Sequence, residues 1–410
     1  MWRLTNPVRH YAWGSRSHLP RLLGVPDDGE PWAELWLGAH PSDPSTLPDG
    51  RGLDAAVAAD PASLLGAEVA EHFEGLPFLM KLLAAAEPLS LQVHPDSAQA
   101  AAGYDAEDAA GVPVSAPARN YRDRSAKPEL VLALTRFEGM AGWRTPERSA
   151  EILRMLGVPF LDEVAERLSV PSPPAEVLRD VVTYLLRLPQ DDVPALVADV
   201  TAAAAAADAR PHPISSRRRP AEVSRDDVSR ESLRVFAQTA QLGKRYPEDA
   251  GVLVTLLLNH VVLARGEAMY LDAGVVHAYT SGFGLEVMAN SDNVLRAGLT
   301  PKHVDVAELL EITSFEPSPA PLWEPAGDPE RVEVFAPPVA QFRLSLAEGV
   351  YDDLPATGPR ILLCLDGTVT VAAGGSTESL APGGAVFLSA ADGPVSVVGD
   401  GRVAVCSVPG

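Results

Sequence analysis

Pro88-Leu89-Ser90-Leu91-Gln92-Val93-His94-Pro95-Asp96 alternates strictly between apolar and polar side chains. Side chains on a strand change face at every residue, so Leu89, Leu91 and Val93 share one face and Ser90, Gln92 and His94 the other. A half-buried strand normally turns its polar face to water. This face carries a hydroxyl, an amide and an imidazole, then stops at Pro95, which has no N–H to give a ladder. Gln92 and His94 can reach one metal ion from a single strand. The plain alternative is a solvated face with an incidental histidine, and other segments must decide.

Three segments carry polar groups where strand packing prefers apolar ones. Lys127-Pro128-Glu129 opens the apolar run Leu130 to Leu134, with Lys127 and Glu129 on one face. A lone carboxylate there is costly unless paired or bound to a cation. His277 follows the turn Asp272-Ala273-Gly274 out of the strand Ala268 to Leu271. With Gln92 and His94 these supply one amide oxygen, one carboxylate and two imidazoles. A few N/O ligands with a position left for water or substrate is the pattern of a catalytic zinc site, although Fe, Mn or Co suit the same donors. The third segment, Leu285 to Lys302, gathers Glu286, Asp292, Arg296 and Lys302 among few apolar anchors. An Asp292–Arg296 ion pair on a surface turn would explain two of them.

The chain of 410 residues exceeds what one core usually serves. Its formal charge of −22 opposes nucleic acid and anionic membrane as partners. An anionic substrate therefore needs a local basic cluster, and Lys81, Lys127, Arg296 and Lys302 offer one. No apolar run reaches the roughly 18 residues of a membrane span. The N-terminus lacks a secretory pattern, and Cys364 and Cys406 are too few for a disulfide scaffold, so a cytoplasmic location is expected.

Texture divides the chain. Up to about Gly142, short strands such as Trp32 to Gly38 and Pro77 to Leu83 alternate with Gly/Pro turns, with one short helix over 97–110. Thr145-Pro146 starts a helical block, Thr145 as cap and Pro146 in the first turn, followed by helical spacing at Ile152, Leu153 and Leu156 and at Val177, Val181 and Leu185. The run Ala202 to Ala207 favours helix but offers little to pack. Pro211 to Pro220, with Arg217, Arg218 and Arg219, reads as a solvated loop. Strands are expected again at Val252 to Leu258 and Ala268 to Leu271, then a helix after Thr300-Pro301. Past Pro317, short strands and Gly/Pro turns indicate a sandwich or barrel without a polar constellation.

The motifs Tyr11-Ala12-Trp13-Gly14, Ala33-Glu34-Leu35-Trp36-Leu37-Gly38-Ala39-His40-Pro41, Leu89 to Asp96, Lys127-Pro128-Glu129 and Leu285 to Lys302 resemble the type I phosphomannose isomerases, zinc enzymes of the cupin superfamily. The resemblance covers the first 142 residues and 259–312, and weakens in the helical block and the last ninety or so residues. It implies a mainly β fold with a helical insertion: two cupin-type jelly-roll domains plus an α-helical domain. The expected division is a catalytic cupin in two parts (1–144 and 249–316), an insertion at 145–248 and a metal-free jelly-roll at 317–410. It further implies one Zn²⁺ held by Gln92, His94, Glu129 and His277, Arg296 as a catalytic residue, and Ser90, Lys81, Lys127, Asp292 and Lys302 in a sugar-phosphate pocket. Glu286 matches a position near the metal. The implied reaction interconverts mannose 6-phosphate and fructose 6-phosphate through a cis-enediol, with Lys127 or Glu286 as base and Asp292 with His94 assisting ring opening. A small-molecule sugar phosphate is then the partner, and a monomer is expected. A binding cupin without turnover and an iron-dependent cupin oxygenase are the competing classes.

Overall fold

The computed structural model describes residues 1–209, 225–328, 332–351 and 354–409; the expected Arg217–Arg219 loop lies outside them. One strand, His277–Ala289, organises the catalytic part. Its C-terminal half pairs antiparallel with Phe78–Ala85 (Glu286 opposite Lys81) and with Glu129–Ala133 (Met288 opposite Glu129). Its N-terminal half pairs with Leu91–Val93 (His277 opposite Gln92) and with Phe137–Trp143. Between the halves the register skips one residue, at Tyr279/Ser281. His277 and Glu286 stand an odd number of residues apart, so strict alternation would turn them to opposite faces. The extra residue of a bulge restores both to one face and lets the strand turn a corner. Gly282 sits at the corner with φ +124°, where a Cβ would come within 2.7 Å of the Arg136 carbonyl oxygen.

Opposite residues share a face, so the pairing of Glu34–Gly38 with Phe78–Ala85 sets Trp36 beside Lys81. Glu34, Trp36, Lys81, Glu129 and Glu286 therefore line one inner surface. The C-terminal part is a second jelly-roll. A seven-stranded sheet includes Arg343–Glu348, Arg360–Asp366, Ala385–Leu388 and Arg402–Ser407, and Val369–Ala373, Ser376–Leu380 and Ser396–Gly399 form a smaller sheet. Trp2–Leu4 adds to this C-terminal part, Trp2 lying opposite Phe387. The first strand thus leaves the segment to which the sequence division assigned it, because Leu4 belongs to an apolar core that both jelly-rolls share.

The helical block begins at Pro146–Arg154, where the Thr145 side chain accepts the Arg148 N–H. Pro159–Leu168, Pro174–Leu186, Val193–Asp208 and Arg225–Arg245 follow. The alanine run is not idle: Ala204 and Ala207 are buried. Small side chains let this helix lie close to Arg225–Arg245, near enough that a Cβ on Gly243 would meet Thr201 Oγ1. The strand expected at Val252 to Leu258 is instead a helix, Gly251–Thr255, then a strand from Leu258 to Leu263. A continuously apolar run that is buried all round carries no periodicity to tell helix from strand. Three short helices, Leu53–Ala59, Pro61–Leu65 and Ala67–His72, interrupt a region read only as strands and turns. The helix expected after Thr300-Pro301 starts at Val306, capped by Asp305. Cys364 and Cys406 are both buried and free. Among the described residues no helix is long and apolar enough to cross a membrane.

Candidate active site

His94 follows the strand Leu91–Val93, Glu129 begins one strand and His277 begins another. All three are buried, and their ligand atoms lie within 4.8 Å of one another. His94 Nε2 is 3.2 Å from Glu129 Oε1 and His277 Nε2 is 3.5 Å from Glu129 Oε2. The far nitrogen of each ring faces a carbonyl: His94 Nδ1 is 2.6 Å from the Asn293 oxygen and His277 Nδ1 is 2.9 Å from the Val275 oxygen. A carbonyl only accepts, so each Nδ1 carries the proton and each Nε2 turns a lone pair toward Glu129. His94 Nε2 has no hydrogen-bond partner of its own; its closeness to Glu129 is that of two acceptors, the arrangement a cation between them satisfies.

The protonation states agree. Burial, then the Lys127 charge, lowers the His94 pKa to about 4, so the ring is neutral near pH 7. Burial pushes Glu129 up, but its polar surroundings, His94 and Lys127 first among them, hold it well below the usual carboxylate range. Neutral imidazoles and an ionised carboxylate are what a metal requires. The Gln92 amide is 3.2 Å from His277 Nε2. Its oxygen and nitrogen exchange by a half-turn, and with Oε1 turned inward it supplies a fourth N/O donor.

Gln92 has a second cross-strand partner. On Leu295–Gly298 the residue opposite it is Arg296, so His277, Gln92 and Arg296 stand in one row across three strands. Burial and the Arg122 charge lower the Arg296 pKa. Lys302, exposed on the following loop, is also lowered, by desolvation and then by Arg296 and Arg122. Arg122, Arg296 and Lys302 have no ion pair among the described residues. Arg122 is an addition to the expected cluster, and nothing in its spacing marked it. Lys81 and Lys127, expected in that cluster, are each matched: Lys81 Nζ is 3.2 Å from Glu286 Oε2, and Lys127 Nζ is 3.3 Å from Glu129 Oε1. Burial opposes the Lys81 charge, but Glu286, Glu34 and Glu129 together raise its pKa. Burial raises that of Glu286 against the pull of Lys81.

Asp292 has a different neighbour from the one nearest it in sequence. It forms no ion pair with Arg296 among the described residues, and the His94 ring lies against Asn293 and Glu129. Asp292 Oδ1 instead lies 3.4 Å from His40 Nε2. The signal for His40 was present: His40-Pro41 ends a strand as His94-Pro95 does. Asp123 fastens the Asp292 loop, accepting from Ser291 Oγ (2.8 Å) and the Asp292 N–H (2.8 Å), while its carbonyl accepts from Asn293 Nδ2 (2.8 Å). Ser90, half-buried just before its strand, makes no side-chain hydrogen bond among the described residues. A cleft of about 780 Å³ opens beside the site, lined by Ala39, Pro41, Arg122, Asp123 and Asn290 among others, without taking in the three metal-facing side chains.

Residues 1–146 match the family model for the phosphomannose isomerase type I catalytic domain. The mannose-6-phosphate isomerase of Escherichia coli K12 is 38% identical over 415 residues, covering 98% of each chain. The human mannose-6-phosphate isomerase is 32% identical over 424 residues, covering 94% of this chain and 93% of its own. Among solved structures, a mannose 6-phosphate isomerase bound with zinc and yttrium superposes with a TM-score of 0.85 at 36% identity, covering 100% of this chain and 99% of that one.

Proposed function

Because the chain belongs to the type I phosphomannose isomerase family, we propose a division of labour among its buried polar residues for the reversible conversion of mannose 6-phosphate to fructose 6-phosphate. The chain is a metal-dependent aldose-ketose isomerase with a cupin fold. His94, Glu129, His277 and Gln92 would hold its zinc, which supplies Lewis acidity toward the sugar oxygens. The observation that carries the assignment is the set of two imidazole lone pairs and one carboxylate turned on one another, with each ring's proton held on the far nitrogen by a carbonyl.

Arg122, Arg296 and Lys302 give the substrate phosphate its counter-charge in a strongly acidic protein. Arg296, in the row with the ligands His277 and Gln92, also offers a positive charge to the oxygens on which negative charge grows as the C2 proton leaves. Lys127 and Glu286 are the two candidates for the base that carries this proton from C2 to C1. Lys127 adjoins Glu129, and Glu286 is a carboxyl of raised pKa held by Lys81. Asp292 takes the anomeric hydroxyl proton in ring opening, and Ser90 and Lys81 line the sugar side of the pocket. The domain limits follow the sequence division, with Trp2–Leu4 transferred to the C-terminal part.

The test is loss of ²H from [2-²H]mannose 6-phosphate, followed beside fructose 6-phosphate formation. Label loss with turnover that stops on chelation and returns with zinc supports the assignment. Binding of the sugar phosphate without label loss would identify a binding protein, and chelator-insensitive turnover would remove the metal from the reaction.

A further inference from the structure

We infer that His40 is the positioning residue for Asp292, a reading that rests on the ring-opening role given to Asp292 above. His40 is 3% exposed and cannot serve as a solvent-facing acid. Its tautomer follows from its neighbours. The Ser42 backbone N–H, 3.3 Å from His40 Nδ1, can only donate, so Nδ1 is the acceptor and the neutral ring carries its proton on Nε2. The Ser42 hydroxyl, 2.8 Å from the same nitrogen, reinforces this. The Nε2–H then faces Asp292 Oδ1 at 3.4 Å.

The imidazole is held in that plane. It meets the Trp36 ring edge-on, centroids 4.9 Å apart, and Trp36 Nε1 donates to Glu34 Oε2 at 2.7 Å. Asp292 is held from its other end, where its backbone N–H donates to Asp123 Oδ2. One carboxylate oxygen is thus engaged by His40, while the side chain as a whole stays half exposed. An oriented carboxylate with one free oxygen is suited to proton transfer in the way the aspartate–histidine pair of hydrolases is suited, with the roles reversed: here the histidine orients and the carboxylate transfers. In ring opening, the O1–H proton passes to Asp292 Oδ2, a C1=O1 double bond forms, the C1–O5 bond breaks, and O5 takes a proton from water. Asp292 then returns its proton to solvent, and nothing is oxidised or reduced.

Zinc-loaded, full-length His40→Ala, His40→Gln, Asp292→Asn and the His40→Ala/Asp292→Asn double variant test the inference. His40→Ala is expected to keep its zinc and lose about 10- to 100-fold in kcat, the range seen when an orienting partner is removed. His40→Gln, whose amide nitrogen reaches toward the same oxygen, is expected to recover much of that loss. In the Asp292→Asn background His40→Ala is expected to cost less than about twofold, since its only route of action is gone. With [2-²H]mannose 6-phosphate, the isotope effect on kcat is expected to fall below the wild-type value in His40→Ala, because slow ring opening masks the C2 step. Wild-type kcat in His40→Ala, multiplicative losses in the double variant, or an isotope effect raised above wild type would overturn the positioning role. Wild-type kcat in Asp292→Asn would instead remove the underlying reading of Asp292.

Discussion

His277 stands directly across the ladder from Gln92, with its Nε2 3.2 Å from the Gln92 amide. The two residues are far apart in sequence, and one antiparallel register makes them neighbours. Since Gln92 faces Arg296 on its other side, a single short strand stands between His277 and Arg296.

Removing a ligand should release the metal. His277→Ala and Gln92→Ala are expected to lose zinc and activity together, measured by metal analysis of purified protein beside a coupled fructose 6-phosphate assay. The Gln92 change should be the milder, because it leaves two imidazoles and a carboxylate.

Arg296→Ala should separate binding of metal from turnover. It is expected to retain stoichiometric zinc while kcat/KM falls on the order of 10²- to 10³-fold, the cost of losing one preorganised group at a developing charge. Arg122→Ala, which lines the cleft outside the row of ligands, should act mainly on KM for the phosphorylated sugar.

Lys81→Met should be a stability lesion as well as a catalytic one. It strands the buried Glu286 carboxylate, and breaking a buried pair from one side costs about 3–5 kcal/mol. Denaturant unfolding of the zinc-loaded protein measures this. Glu286→Gln in the same background should recover part of the loss, since no unpaired charge is left.

Stability should also fall with acid through a residue outside the site. His260 is buried beside Arg144 and Arg234, and burial first, then these charges, lowers its pKa to about 4 against an ordinary 6.5. Between those values the unfolded chain takes up a proton that the native state refuses, so this stability is complete above pH 6.5 and drains away as the pH falls toward 4. At about 1.4 kcal/mol per unit the loss is at most roughly 3 kcal/mol. His260→Gln should flatten that stretch of a stability–pH curve, and an unchanged slope would show that His260 is not its source.

The alternation in Pro88 to Asp96 pointed to Gln92 and His94 as partners on one strand, and the lone carboxylate at Glu129 pointed to a cation. Neither pattern carried information on the bulge at Tyr279/Ser281, which requires knowing which strand lies opposite. The bulge decides that His277 and Glu286 turn to one face. The same limit explains Asp292: its nearest charge in sequence is Arg296, but its partner in space is His40, contributed by a strand some 250 residues away. The helix at Gly251–Thr255 and the buried face of the alanine run were obscured for a different reason, since uniform apolarity leaves no period to read. Gly282 offers a check on the corner itself. Gly282→Ala should cost at least about 1–3 kcal/mol from its φ alone and shift the midpoint of unfolding accordingly.

The central claim, that four side chains from three strands meet on one cation, is tested most directly by anomalous diffraction at the zinc edge from crystals of the zinc-loaded protein. The account predicts a single strong peak about 2.0–2.2 Å from His94 Nε2, His277 Nε2, a Glu129 oxygen and Gln92 Oε1. A peak elsewhere in the chain, or one that leaves Glu129 or either histidine uncoordinated, would contradict it.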